Sequence, residues 1–183
     1  MTSYNIFKHP KGIQLESGEK LENLQIAYNV FGNKNARKTI WVCHALSGNS
    51  KVTAWWGGLF GPEQLFNFKD YRVICANVIG SCYGSTGPDE LDDARNFPLV
   101  TVKDMVKTLR LLKEHLKVSE IDILIGASLG GQQAVEWAID EPYTIKELIL
   151  VATNAVHSPF GKAFNESQRL AILADPTFGK KDG

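Results

Sequence analysis

The run IDILIGASLGG, residues 121–131, constrains this chain more than any other feature. Its continuous apolar start reads as a strand buried on both faces. The small residues that follow, ahead of a helical stretch over 129–140, read as a sharp strand-to-helix turn. A serine at the tip of such a turn needs neighbours two residues away that lack side chains, and Gly126 and Gly130 meet that condition. The expectation is a nucleophile elbow. Ser128 would stand above the sheet edge, backed by free helix amides and the positive end of the helix dipole. A plainer alternative gives the glycines to helix–strand contact alone. Phosphate loops also compete for them, but a Walker loop needs Lys and then Ser or Thr after its last glycine, where this chain has Gln132. The dinucleotide spacing G-x-G-x-x-G is not met either.

Further buried strands are expected at 40–43, 73–76 and 148–152, each a short unbroken apolar run. Between them lie amphipathic helical patterns. Residues 101–117 put Val102, Met105, Val106, Leu109, Leu112 and Leu116 on one stripe, and Thr101 with Asp104 resembles a capping box. A helix over 129–140 should stop before Pro142, and one over 163–174 before Pro176. Ahead of these, Ile13 and Leu15, a turn at Ser17-Gly18, then Leu24, Ile26, Tyr28 and Val30 alternate as an antiparallel hairpin with one covered face. Buried strands alternating with amphipathic helices define an α/β chain with a mostly parallel sheet. Two long connections, 48–71 and 79–98, follow strand C-terminal ends, where open α/β sheets bind ligands. The first carries Trp55 and Trp56 and the second GSCYGSTGP; a surface aromatic cluster and tight turns are their plainer readings.

Composition narrows the functional classes. The 183 residues carry 20 Lys+Arg against 20 Asp+Glu, so the basic excess of a nucleic-acid binder is missing. No apolar run reaches the roughly 18 residues of a membrane helix, and the first residues have no signal-like apolar segment. Cys43, Cys75 and Cys82 are odd in number, and two sit in apolar strands, which suits reduced thiols in a cytoplasmic protein. Cys82 has no histidine nearby in sequence and reads as structural rather than nucleophilic. Four scattered histidines without paired ligand spacing give metal binding no support.

The loop His44-Ala45-Leu46-Ser47-Gly48 directly follows the strand ending at Cys43. In a sheet built around a serine elbow, this loop and the residue after the serine supply the two oxyanion amides. Those positions fall on Leu46 and Leu129. His44 is expected to brace the loop, because the catalytic base of such folds follows the serine in sequence. Taken together, IWVCHALSGNS, WWGGLFGP, VICANVIGSCYGSTGP, FPLVTVKDMV, IGASLGGQQAVEWA and AFNESQRLAILADP, in that order over 41–176, resemble homoserine O-acetyltransferases. That resemblance implies an α/β-hydrolase fold and methionine biosynthesis. It further implies transfer of an acetyl group from acetyl-CoA, a co-substrate rather than a bound cofactor, to homoserine through an acyl-serine on Ser128. It also implies a homodimer. Related enzymes transfer succinyl groups or accept serine, and an esterase or thioesterase would use the same elbow with water as acceptor.

Elbow folds order their triad as nucleophile, acid, histidine. After Ser128 the chain has one histidine, His157, and the acids Glu136, Asp140, Glu141, Glu147, Glu166, Asp175 and Asp182, none in a family-like context. Six strands are foreseen where the fold has about eight. The expectation is therefore the N-terminal part of a longer enzyme, inactive alone, with 1–160 in the core and 161–183 beginning a helical lid. If 183 residues were the natural length, a non-catalytic binding module would be the alternative. His157, just past the 148–152 strand, is expected at the pocket rim, lining an acceptor site rather than replacing the base. Arg169 is read either as a carboxylate contact at the lid entrance or as part of a solvated helix face.

Overall fold

The computed structural model describes residues 4–91 and 93–179. Its centre is made by the strands richest in unbroken apolar sequence. β5 (Lys38–Cys43), β8 (Tyr71–Ala76) and β9 (Ile121–Ala127) lie adjacent and parallel, with β5 between the other two. Side chains alternate across the sheet and feed two cores. Trp41, Ile74 and Leu124 meet Leu109, Leu112 and Trp137 on one face. Ile40, Val42, Val73, Cys75, Ile123 and Ile125 meet Val52, Phe60 and Phe66 on the other. The sheet is completed by β4 (Leu24–Gly32) and β1 (Asn5–His9), both antiparallel, beyond β8, and by β10 (Ile145–Val151), parallel, beyond β9. The order is β1-β4-β8-β5-β9-β10.

Two sequence expectations change here. The antiparallel partner of β4 is β1, paired from Asn5 against Tyr28 to His9 against Leu24, and not the 13–15 segment. That segment forms only a two-residue ladder, β2 (Ile13–Gln14) with β3 (Lys20–Leu21). Ile13 and Leu15 are nonetheless buried, so their alternation reports a covered face and not the pairing partner. The second change is β10, expected to be buried on both faces. It is the edge strand, with Leu148, Leu150 and Val151 exposed.

The long connections hold short elements. The first contains α1 (Val52–Trp55) and a parallel ladder of β6 (Phe60–Gly61) with β7 (Phe66–Asn67). Trp55 and Trp56 sit half-buried against this second core, 4.8 Å apart, and Trp55 Nε1–H donates to the Asn49 carbonyl. The second contains two 3-10 turns, Pro88–Glu90 and Ala94–Asn96. Both loops are braced by buried polar groups. Asn77, with no exposed surface, accepts from the Ser50 amide at 2.6 Å and donates to the Tyr83 carbonyl at 2.6 Å. Ser85 and Thr86 replace a strand partner beside β4, their hydroxyls accepting the amides of Ala27 and Gln25.

Three long helices follow, of which α2 and α3 pack into the core and α4 is exposed along its length. α2 (Val102–His115) begins at the expected capping box, in which Thr101 and Asp104 exchange side-chain and backbone bonds. α3 (Leu129–Asp140) has the expected bounds. Its C-terminal end is tied to α2 through Glu141, which accepts from Arg110, Lys113 and the Trp137 indole at 2.9–3.0 Å. Burial opposes ionisation of Glu141, but those donors outweigh it and hold its carboxyl at about 2. α4 (Pro159–Leu173) starts four residues earlier than the apolar pattern indicates, because Ser158 caps it and Pro159 opens it. Among the described residues no helix is long and apolar enough to cross a membrane.

Candidate active site

At the C-terminal ends of β5 and β9 two backbones come within touching distance. A Cβ on Gly126 would lie 2.1 Å from the Gly130 carbonyl oxygen, and one on Gly130 would lie 2.0 Å from that of Cys43. Only glycine fits at either place, which is the steric reason for the spacing around Ser128. Between them Ser128 takes φ 52° and ψ −120°, a conformation that L-residues rarely adopt and that costs on the order of 1–3 kcal/mol. The surroundings hold it there. Its amide donates to the Val151 carbonyl at 3.1 Å, while its carbonyl accepts from the amides of Gly131 and Gln132 and from the Thr153 hydroxyl. The residue is exposed at the head of α3, and among the described residues its hydroxyl makes no hydrogen bond. As the first residue of α3, Leu129 has an amide without an intrahelical acceptor.

Leu46 stands opposite, its side chain 80% exposed and lining the same cavity as Ser128 and Leu129. The loop before it is fixed by His44, as expected. This ring is buried; Nδ1–H donates to the Ala45 carbonyl at 2.8 Å and Nε2 accepts from the Val78 amide at 3.3 Å. Burial pushes the imidazole pKa down, only partly offset by the bond to Ala45, so the ring is neutral and ties the chain after β5 to the chain after β8. Because Gly130 touches both the Cys43 and His44 carbonyls, the elbow and the Leu46 loop form one unit.

The cavity in front of Ser128 has a volume of about 280 Å³ and continues over Leu46 and Leu129 to Gln132, Thr153, Asn154, His157 and Asn165. His157 lies at its rim, where sequence order put it. Its Nε2 accepts from the Gln132 side-chain amide at 3.2 Å, and the same amide donates to Asn154 at 3.4 Å. Gln132, Thr153, Asn154 and Asn165 were not foreseen: neutral polar residues carry no spacing of their own. Gln132 alone had a clue, standing one helical turn past Ser128.

Of the acids after Ser128, Glu147 is exposed on β10, and five others are engaged elsewhere. Glu136 faces Lys103, Asp140 and Glu141 hold Arg110, Glu166 pairs with Arg169, and Asp175 caps the Thr177 amide and hydroxyl. Asp182 lies outside the described residues, as do 180–183 of the expected lid segment. Cys43 and Cys75 are buried free thiols, and burial pushes Cys43 up to about 12, far from reactivity; Cys82 is an exposed free thiol.

A serine elbow at the C-terminal edge of a mainly parallel sheet, with a loop from the neighbouring strand folded against it, defines the α/β hydrolase class. The family model for the alpha/beta hydrolase fold matches residues 38–177, and the chain belongs to that family. Its relatives there include homoserine O-acetyltransferases. The enzyme of that name from Cyclobacterium marinum is 41% identical over 96% of this chain and 52% of its own length. The crystal structure of homoserine O-acetyltransferase from Staphylococcus aureus superposes with a TM-score of 0.85 at 29% identity, over 96% of this chain and 54% of that one. An acetylester hydrolase from Corynebacterium glutamicum also superposes at 0.85, with 24% identity over 97% of this chain and 53% of its own, and shares the fold. The chain thus spans about half the length of the relatives it matches.

Proposed function

We propose that this chain carries the nucleophile and oxyanion half of an acyltransferase that moves an acetyl group from acetyl-CoA to the hydroxyl of homoserine. The observation that carries the reading is Ser128: a strained, exposed serine at a helix head, sterically restricted to glycine neighbours, facing a cavity shared with Leu46 and Leu129. Its hydroxyl oxygen attacks the thioester carbonyl, forming a C–O bond while the C–S bond breaks and CoA leaves as the thiol. The amides of Leu46 and Leu129 receive the oxyanion, each contributing about 3 kcal/mol at the transition state. The homoserine hydroxyl then attacks the acetyl-serine from the side the thiol left, and Ser128 recovers its proton. The histidine and acid that move these protons belong, on this reading, to the part of the relatives' length that this chain does not span. The 183 residues alone would then bind but not turn over. Support comes from the homologues' shared name and from the hydrogen-bonding wall of Gln132, Asn154 and His157, suited to a polar acceptor.

In the complete gene product, acetyl-CoA alone should label Ser128 with one acetyl group by mass spectrometry, and Ser128→Ala should remove the label. CoA release should then depend on homoserine. An esterase or thioesterase, the reading that the elbow alone equally permits, would release CoA at the same rate with or without homoserine. An acetyl label that persists in Ser128→Ala would remove the mechanism altogether.

A further inference from the structure

Across the ladder from Ser128 stands a second left-handed residue. Ala152 takes φ 47°, as unusual for an L-residue as the 52° of Ser128. The two face each other one step beyond the last rung, which joins Ala127 to Val151. An unbroken parallel ladder would hold Ser128 by backbone alone, its amide on the Val151 carbonyl and its carbonyl on the Thr153 amide. The first of these bonds is made, at 3.1 Å. On the carbonyl side the Thr153 hydroxyl donates instead, at 2.8 Å. We propose that Thr153 is a positioning residue, whose hydroxyl fixes the plane of the Ser128–Leu129 peptide and so aims the Leu129 amide at the oxyanion.

This role rests on the acyl-serine reading above, in which Leu129 supplies one oxyanion donor. The Ser128 carbonyl and the Leu129 N–H belong to one planar trans peptide and point in opposite directions, so whatever holds the oxygen sets the direction of the hydrogen. Within α3 that oxygen accepts from the Gly131 and Gln132 amides, at 2.9 and 3.2 Å, both on the helix's own first turn. Helix ends fray, and a plane held only by its own turn moves with that turn. Thr153 ties it to the chain leaving β10, outside the helix. A further donor on the carbonyl also polarises the peptide, which strengthens the N–H on its other side. Gly131 makes the seat for this hydroxyl. A Cβ on it would lie 2.5 Å from the Thr153 Cβ and 2.7 Å from its Oγ1, so any side chain there pushes Thr153 away. The third glycine of GASLGG thus differs in duty from Gly126 and Gly130. Those two let backbones touch, whereas Gly131 admits the threonine.

The test takes the complete gene product and acetyl-CoA isotope-labelled at its carbonyl, and follows acetylation of Ser128 in single turnovers without homoserine. Thr153→Val keeps the shape against Gly131 and removes only the hydroxyl. The Ser128 carbonyl retains its helix amides, so this variant should unfold at the same denaturant concentration as the parent. Its acylation rate at saturating acetyl-CoA should fall about 30-fold with KM unchanged, part of the roughly hundred- to thousandfold that a lost oxyanion donor costs. The infrared carbonyl stretch of the acetyl-serine should move to higher frequency, because the bond from Leu129 weakens. Thr153→Ser restores a hydroxyl and should recover both rate and frequency. Gly131→Ala, at a helical position where alanine is otherwise favoured, should reproduce the loss by displacing Thr153. A Thr153→Val enzyme with parental rate and frequency would overturn the inference, as would one that loses stability but keeps both, or a loss that Thr153→Ser does not recover. Each of those leaves the acyl-serine reading standing; a parent enzyme that takes no acetyl label on Ser128 removes both.

Discussion

β9 and β10 lie side by side in the sheet and look alike in sequence, IDILIGA against IKELILV, yet they live in different surroundings. Leu148 stands directly against Leu124 in the ladder, and Leu150 against Gly126. Leu124 has no exposed surface, whereas Leu148 is 39% and Leu150 43% exposed. The difference comes from neighbours. β9 has β5 on one side and β10 on the other, with a core on each face; β10 has a single partner. An apolar run therefore states that a strand is able to be covered, and tertiary contacts decide whether it is. β9 also ends in the elbow, so the rigid strand and Ser128 are one continuous piece of backbone. A site built on a two-sided strand is held more tightly than one built at an edge.

The sharpest way to break this contrast is at the register pair Gly126 and Leu150. A methyl on Gly126 meets the Gly130 carbonyl oxygen at 2.1 Å and the Gly131 nitrogen at 2.7 Å, both backbone of the first turn of α3. No side chain can rotate away. Gly126→Ala should cost about 4 kcal/mol or more in denaturant unfolding, at the severe end of overpacking, and should displace Ser128. Leu150→Ala, one strand away, should cost under about 1 kcal/mol. A Gly126→Ala protein as stable as the parent would mean that β9 and α3 do not meet as described.

The leucine pair tests the same contrast without backbone strain. Leu124→Ala leaves a cavity beside Trp41 and Trp137 in a core with no route for collapse, at an expected cost of about 3 kcal/mol. Leu148→Ala removes the same atoms from an exposed position and should cost about 0.5 kcal/mol. Urea titrations of the two variants give the ratio directly, and equal losses would show that β10 is covered in solution.

What was legible in the sequence follows the same division. β5, β8 and β9 were readable because central strands carry unbroken apolar runs, and α2 because the capping box of Thr101 and Asp104 is local in sequence, although both residues also bond Glu16. The elbow was readable because its sterics admit only glycine at 126 and 130, so geometry leaves a mark at fixed spacing. The exposure of β10 was not, since nothing within IKELILV records how many strands flank it. Nor was the pairing of β1 with β4: NIFKH mixes polar and apolar residues, and its partner is chosen by contacts 15–23 residues away. The cavity wall of Gln132, Thr153, Asn154 and Asn165 was equally silent, because residues from three separate elements converge only after folding. His44 was read correctly for a topological reason, its place before the serine, and its two bonds supply the physical one.

The mildest of the three contrasts lies where the two strands are joined. Asp122 on β9 accepts from the Thr39 amide of β5 at 2.7 Å and from Lys146 of β10 at 2.9 Å. Burial disfavours its ionised form, but the Lys146 ammonium and the Thr39 amide outweigh burial and hold its carboxyl below the usual range. A carboxylate whose folded pKa is depressed contributes stability above its unfolded pKa and loses that contribution as pH falls through the folded one. Acidification below about pH 4 should therefore loosen the β5–β9–β10 clasp. The strands should respond unequally. β9 keeps ladder bonds to two neighbours, so its amides should stay protected, while those of β10 have only β9 to hold them and should exchange faster. Asp122→Asn should reproduce the acid behaviour at neutral pH, at a cost of about 1 kcal/mol given the partly solvated pair, and should abolish its pH dependence. Hydrogen exchange measured strand by strand decides it: parallel acceleration of β9 and β10 would show that the edge strand is no weaker than the strand that carries Ser128.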